Sequence, residues 1–279
     1  MTERIEVERS YENMKCLTLN VHAWLEEKPL EKMDILANAI VKNEYDVIAL
    51  QEVNQSMEAK LVYLDIKEDN FGYLLCEKIN ALSYKSYQYF WASSHMAYGK
   101  YDEGIALLTK WPVKHVEEFY CSQSQNYKTI SARRVLELKL NYKGKYILCY
   151  SCHINLPNQE GEDQIENVKN ILEHSKTDET KILLGDFNVD AIQDENQYNN
   201  IKRLGLWDTY ELAKEKDDGI TVSKAIDGWD KQKQNKRIDY IFVNKEVDVI
   251  SSFTIFNEKN EPVVSDHYGL NTILQWRTK

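Results

Sequence analysis

The chain has 279 residues, of which 35 are basic and 45 acidic, giving a formal net charge of −10. Proteins that grip a nucleic-acid duplex draw most of their affinity from phosphate contacts, so an acidic balance of this size speaks against that class of partner. The 5 cysteines are odd in number and only Cys149 and Cys152 stand in a CxxC spacing, with no second such pair, which argues for reduced thiols and against both a disulfide framework and a four-cysteine zinc site.

Met1 to Arg9 alternates charged with apolar residues and holds no stretch resembling a signal peptide, and nothing downstream approaches the length of a membrane span. A cytoplasmic location is the expectation. The chain carries no Pro-, Gly- or Ser-rich linker, no repeat and no low-complexity tract, so residues 1–279 read as one domain. With 18 tyrosines and 6 tryptophans, aromatic surfaces are expected as well as aromatic packing.

Lys15 to Val21 alternates Leu17, Leu19 and Val21 with Cys16, Thr18 and Asn20, the pattern of a strand with one apolar face, and Asn20 leaves it on the other face. His22 and Trp24 follow in a loop. Pro29 suits a first helical position, and Leu30, Met33, Leu36, Ala37, Ile40 and Val41 recur at helical spacing through Asn43. Tyr45 to Val53 is a short apolar strand that ends in Gln51 and Glu52; a carboxylate at a buried strand end must find a cation, a donor or water. Residues 56–90 predict a helix or two, with Leu74, Leu75, Ile79 and Leu82 on one apolar face and no chemistry.

Tyr101 to Val113 reads as a strand closed by Trp111 and Pro112. Arg133 and Arg134 precede an alternating strand, Val135 to Leu140, whose hairpin partner Lys145 to His153 follows across Asn141 to Gly144. A helix over about 161–174 turns Ile165, Val168, Ile171 and Leu172 inward. Then Ile182, Leu183 and Leu184 run into Gly185 and set out Asp186 and Asn188, which strand geometry places on one face. A short helix over about 194–204 comes next, Gly219 to Trp229 reads as irregular, and Lys231 to Arg237 is a local basic run. Lys236 to Val243 is a strand with Asp239 near its start, Val247 to Phe256 is another, and Ser265, Asp266 and His267 directly precede the last strand, which ends at Trp276.

Asn20, Glu52, His153, Asp186, Asn188, Asp239, Asp266 and His267 thus all fall at strand edges, and strand ends that converge form a site. Without a Cys₄ set or an HExxH motif, zinc of the usual kinds is not expected; oxygen donors such as Glu52, Asp186 and Asp266 suit a hard cation, Mg²⁺ or Mn²⁺.

Leu19-Asn20, Leu50-Gln51-Glu52, Glu103-Gly104-Ile105-Ala106, Ser151-Cys152-His153, Gly185-Asp186-Phe187-Asn188, Arg237-Ile238-Asp239 and Ser265-Asp266-His267 follow one another in an order and rough spacing that resembles the endonuclease/exonuclease/phosphatase, or deoxyribonuclease-I-like, superfamily. The resemblance covers about residues 15–276. It implies a mixed α/β fold, a four-layer α/β/β/α sandwich of two mainly antiparallel sheets faced by helices, and a divalent-metal-dependent attack of water on a phosphoester. Carried over by residue, Glu52 would be the principal metal ligand, Asn20 would support that metal or its waters, and Asp266 would complete the site. Asp186 would orient or deprotonate the water, and Asn188 would contact the phosphoryl group. Asp239 would fix His267, while His153 and His267 would stabilise the developing charge. Whether Asp186 or His267 is the base stays open.

These roles suit phosphoryl transfer, which needs charge neutralisation and positioning more than covalent chemistry. Arg133 or Arg134 would either contact phosphate or form a surface ion pair. Nucleases of the superfamily commonly carry an acidic residue two after the first Asn, where this chain has His22; that departure favours a phosphatase. Among nucleases, sphingomyelinases, inositol phosphatases and small sugar phosphatases, the wording Asn20-Val21-His22-Ala23-Trp24 looks most like the cytosolic branch that includes maltose 6'-phosphate phosphatase. On that reading the partner is a small phosphorylated sugar, not a membrane, and Trp24, Trp229, Tyr98 or Tyr101 would stack on its rings. The alternatives are a nuclease of the exonuclease III or abasic endonuclease type, with Lys231 to Arg237 as a basic groove, and a non-catalytic binding module, against which Glu52, Asp186 and His267 are all present.

Overall fold

The computed structural model describes residues 11–223 and 234–277, with the backbone alone at Arg277. Strand β1 (Tyr11–Asn20) passes through a 3-10 turn at Ala23–Leu25 into helix α1 (Pro29–Asn43), and β2 (Val47–Ser56) returns parallel to β1. A small hairpin, β3 (Leu61–Tyr63) and β4 (Ile66–Lys67), leads to α2 (Phe71–Leu82), after which β5 (Gln88–Ala97) and β6 (Tyr101–Thr109) pair antiparallel. The chain then crosses to a second sheet through β7 (Val113–Tyr120), β8 (Arg134–Tyr142) and β9 (Lys145–His153); α3 (Gln164–His174) returns it to β10 (Thr180–Asp186), parallel to β9. Next come α4 (Glu195–Arg203), β11 (Trp207–Asp208), α5 (Thr209–Leu212), β12 (Glu215–Lys216), β13 (Asp239–Val243), β14 (Asp248–Ile255) and β15 (Gly269–Arg277).

The first sheet has seven strands in the order β12-β14-β15-β1-β2-β6-β5, the second six in the order β11-β13-β10-β9-β8-β7. In each sheet one parallel pair is joined by a crossover helix, β1-α1-β2 and β9-α3-β10, because parallel neighbours need a long connection, and at the edge of the first sheet the short β12 also runs parallel to β14. Leu136, Leu138 and Leu140 of β8 meet Val47 and Ala49 of β2 and Leu107 of β6 between the sheets. The outer face of the first sheet packs on α1 and α2 through Leu36, Ile40, Leu75 and Ile79. Val168 and Ile171 of α3, with Tyr198 and Ile201 of α4, cover the second. This is the four-layer sandwich of two mainly antiparallel sheets.

Helix α1 spans the residues its apolar spacing predicts. Helix α3 starts at Gln164, where Asp163 caps it by accepting from the Ile165 and Glu166 amides. Strands β5 and β7 were not legible: each carries a register shift, between Ser93 and His95 and between Val113 and His115, that breaks the alternation. Leu82, expected on the apolar face of α2, is 52% exposed because that face ends at Ile79. Gly185 is required by contact, since a Cβ there would lie 1.9 Å from the Cys152 carbonyl oxygen of the neighbouring strand. All five cysteines are free and buried. Among the described residues no helix is long and apolar enough to cross a membrane.

Candidate active site

The parallel pairs β1-β2 and β9-β10 deliver their C-terminal ends to the same place. Register sets Asn20 beside Gln51, His153 beside Asp186, and Asp186 beside Asp239. The two sheets are stitched there by polar contacts: Asn20 Nδ2 donates to Glu52 Oε1 at 2.8 Å and to Asp186 Oδ2 at 3.2 Å, and Gln51 Nε2 donates to Ser151 Oγ at 3.2 Å. Asn20 is buried and works from behind the site, where its amide holds two carboxylates in fixed relation.

Glu52 does not end its strand as the sequence suggests. Strand β2 runs on to Ser56, and Glu52 sits at a register shift between Leu50 and Val53 with φ 54. A non-glycine residue in that conformation costs about 1–3 kcal/mol and persists only where the surroundings enforce it. The bulge takes Glu52 out of the strand's alternation and turns it into the cavity. Asn188 also departs from expectation. The strand stops at Asp186, and Asn188 adopts φ 51, which asparagine tolerates. Its amide N–H donates to Asp186 Oδ1 at 2.9 Å and its Nδ2 to the Ile154 carbonyl at 3.0 Å.

Two histidines face Asp186 from opposite sides, His153 Nε2 at 3.7 Å and His267 Nε2 at 3.8 Å from its Oδ2. His267 Nδ1 lies 2.9 Å from Asp239 Oδ2, and both residues are buried. Burial opposes a charged imidazole at His267, but the charge and hydrogen bond of Asp239 outweigh it and raise its pKa well above the ordinary value. His153 shows the reverse, with burial and then the charge of Arg133 driving its pKa well down. Burial, followed by repulsion from Asp239, lifts Asp186 to about 6. Burial, then Glu103 and Asp266, lift Glu52 to about 8.

These groups line a cavity of about 410 Å³. Its lining combines the polar Glu52, His153, Asp186, Asn188, Asp266 and His267, a further polar set of Arg133, His95 and Glu103, and the apolar or aromatic Ala97, Tyr98, Ile130 and Leu156. His95 was missed because β5 was missed. It is buried, with Nε2 3.4 Å from Glu103 Oε1, so the Glu103 motif residue gains a partner from the adjacent strand. Glu26 was missed too: its Oε1 accepts from the Asp266 amide at 3.0 Å and lies 2.9 Å from His22 Nδ1, clamping the loop that carries Asp266. Burial would raise the Glu26 pKa, but hydrogen bonds with His22 and Lys32 outweigh it and hold the carboxyl at about 2.

Other expectations are corrected. Trp24 does not line the cavity; its indole N–H donates to the Asp69 carbonyl at 2.7 Å and its ring meets Phe71 edge-on. Tyr101 is buried, and of the two tyrosines considered it is Tyr98 that reaches the cavity. Trp229 lies outside the described residues, as do Lys231 and Lys233. The rest of the basic run turns inward: Lys236 is buried, and Arg237 Nη1 pairs with Asp208 Oδ2 at 2.6 Å while its guanidinium lies within 5.0 Å of the Tyr198, Tyr210 and Tyr240 ring centres. Arg134 is an ion pair with Glu118 at 2.7 Å, whereas Arg133 is buried against His153.

The donor set fits a hard divalent cation. Glu52, Glu103, Asp186 and Asp266 line one cavity, and the Glu52 pKa is raised first by burial and then by repulsion from Glu103 and Asp266. Among the described residues, the groups of three with donor atoms within 4.8 Å of one another are His22, Glu26 and Asp266, and Asp186, Asp239 and His267, neither of which includes Glu52. Glu52 and Asp266 both line the cavity, and Asn20 Nδ2 donates to Glu52.

Paired acids and imidazoles at the ends of a double-sheet sandwich define a phosphoric ester hydrolase. The Endonuclease/Exonuclease/phosphatase family model matches residues 17–267, and the chain belongs to that family. An endonuclease/exonuclease/phosphatase family protein from Leptotrichia buccalis shares 50% identity over 94% of this chain and 100% of its own, with a TM-score of 0.90. The mannosyl-6-phosphatase from Bacteroides thetaiotaomicron aligns at 16% identity and TM-score 0.66 over 94% of this chain and 99% of its own. TDP2 from D. rerio, solved with a single strand DNA product, aligns at 16% identity and TM-score 0.65 over 94% and 98%. These last two share the fold alone. Comparison with curated proteins finds no match.

Proposed function

We propose that the protein is a divalent-metal-dependent phosphomonoesterase that acts on a small phosphorylated sugar in the cytoplasm, in the manner of maltose 6'-phosphate phosphatase, with Mg²⁺ or Mn²⁺ as its cofactor. The observation that carries this reading is the lining of the cavity: carboxylates and imidazoles share it with Ala97, Tyr98, Ile130 and Leu156, at a volume suited to a small ligand. Lys236 and Arg237 are buried, and a net charge of −10 works against attracting a polyanion. The sandwich shared with a mannosyl-6-phosphatase is compatible with this substrate class.

The residues divide the work. Bound by Glu52 and Asp266, the cation would supply Lewis-acid polarisation of a phosphoryl oxygen. Asp186, fixed by Asn20 and the Asn188 amide, orients the attacking water and takes its proton. His267, held by Asp239, donates to the developing negative charge. Arg133 brings a buried cation to the same cavity, and its Nε has no hydrogen-bond partner among the described residues. Tyr98 and its apolar neighbours support the sugar ring.

The test is phosphate release with Mg²⁺ from a panel of phosphorylated mono- and disaccharides, run beside an abasic-site duplex and a simple diester. Release from a sugar phosphate with the duplex uncut supports the proposal. Duplex or diester cleavage with inert sugars overturns it in favour of a nuclease.

A further inference from the structure

The two histidines nearest Asp186, His153 and His267, have Nδ1 partners of opposite character. Asp239 offers a carboxylate oxygen to His267, whereas Arg133 Nη1 stands 3.1 Å from His153 Nδ1. A guanidinium carries only N–H donors and is not deprotonated in proteins. His153 Nδ1 must therefore accept, and the ring proton must sit on Nε2. That nitrogen faces the cavity, 3.7 Å from Asp186 Oδ2 and 3.9 Å from Glu52 Oε1. Both distances exceed a hydrogen bond, so the N–H is aimed at the space between the two carboxylates rather than spent on either.

Arg133 is itself held in place. Its backbone N–H donates to Ser122 Oγ at 2.8 Å, its carbonyl accepts from the Cys121 amide at 3.0 Å, and the residue is 5% exposed. Burial works against its guanidinium charge, and the carboxylates of Glu103, Glu52 and Asp186 support it. A buried arginine pinned at its backbone has little freedom to leave His153 and follow a substrate.

We propose that Arg133 is a positioning residue acting through His153: by donating to Nδ1 it locks the imidazole in its Nε2–H tautomer and aims that N–H at the phosphoryl site. His153 then enters the reaction as a fixed neutral donor, distinct from the Asp-paired His267. The inference rests on the phosphoester-hydrolase reading of the cavity but not on the choice of sugar.

Its test is long-range ¹H–¹⁵N correlation spectroscopy of the full chain labelled at histidine, without metal and with Mg²⁺, with His153 assigned through His153→Gln. Wild type should show His153 protonated at Nε2 and bare at Nδ1. Arg133→Met should lose that preference, and Arg133→Lys, which keeps a donor, should retain it. The His267 signals report whether each variant is folded. A wild-type His153 protonated at Nδ1, or an Arg133→Met spectrum unchanged from wild type, overturns the proposal.

Kinetics give a second reading. Arg133→Met and His153→Gln should each lower kcat by about 10²-fold, as loss of one oriented donor does, and the double variant should fall no further. Additive losses, or an Arg133→Met effect confined to KM, would mark Arg133 as a direct substrate contact instead. Should no sugar phosphate be hydrolysed, the spectra still decide the Arg133 question, so the two proposals fail separately.

Discussion

Replacing Glu52 by glutamine should abolish metal-supported activity and yet stabilise the metal-free protein at alkaline pH. Burial, then Glu103 and Asp266, raise the Glu52 pKa from 4.5 to about 8, so the folded chain holds this proton more tightly than the unfolded chain does. The contribution to stability is full below about pH 4.5 and is lost as pH rises through about 8. At 1.36 kcal/mol per pH unit this amounts to about 5 kcal/mol. The side chain keeps 23% of its surface exposed, so solvent screening brings the expectation to about 2–4 kcal/mol. The carboxamide of the Glu52→Gln variant cannot ionise, and its oxygen can still accept from Asn20 Nδ2. Urea unfolding in EDTA, followed by tryptophan fluorescence, should find Glu52→Gln more stable than wild type by that margin near pH 9 and closely matched near pH 4. Added Mg²⁺ should restore the wild type, by about 2.7 kcal/mol at a hundredfold excess over Kd, and do less for the variant. A variant no more stable than wild type near pH 9 would refute the idea that its acidic surroundings destabilise the Glu52 carboxylate.

Two further outcomes bear on other parts of the molecule. Asp239→Asn removes the charge that keeps the His267 pKa raised, so kcat should fall by about 10²–10⁴-fold; the loss should deepen as pH rises through neutrality, where the unsupported imidazole gives up its proton. A pH profile that moves in parallel with the wild type would count against it. Arg237→Leu leaves Asp208 buried without its ion pair and empties a tyrosine cage, which should cost about 3–5 kcal/mol of stability in urea while kcat and KM of the folded fraction stay unchanged. Altered affinity for a DNA duplex in that variant would instead revive a nucleic-acid role for this segment.

Elements whose periodicity is clean were legible from the chain alone: α1 from its apolar spacing, the hairpin of β8 and β9 from alternation around Asn141 to Gly144, and β10 from its apolar run into Gly185. The same local signals gave the polar residues at the ends of those strands, and their order gave the family. Strands β5 and β7 escaped because a bulge shifts the alternation by one residue, and with β5 went His95. Periodicity also could not show that β2 runs past Glu52, since a φ of 54 at a bulge is enforced by the neighbouring strand β6 and not by the residue.

Local patterning along the chain was enough for many of the strands and helices and for the chemical inventory of oxygen donors, imidazoles and reduced thiols, while the layered class came with the family resemblance that the ordered motifs carry. How these groups are paired was settled by the tertiary fold. It set Asp239 on His267 but Arg133 on His153, brought Glu26 under Asp266, took Trp24 into packing with Phe71, and folded Arg237 into a tyrosine cage. Local propensity acts over a few residues along the chain, whereas each of these pairings joins groups from separate elements. Protonation states and ligand geometry depend on such neighbours, and they exist only once the two sheets have closed on each other.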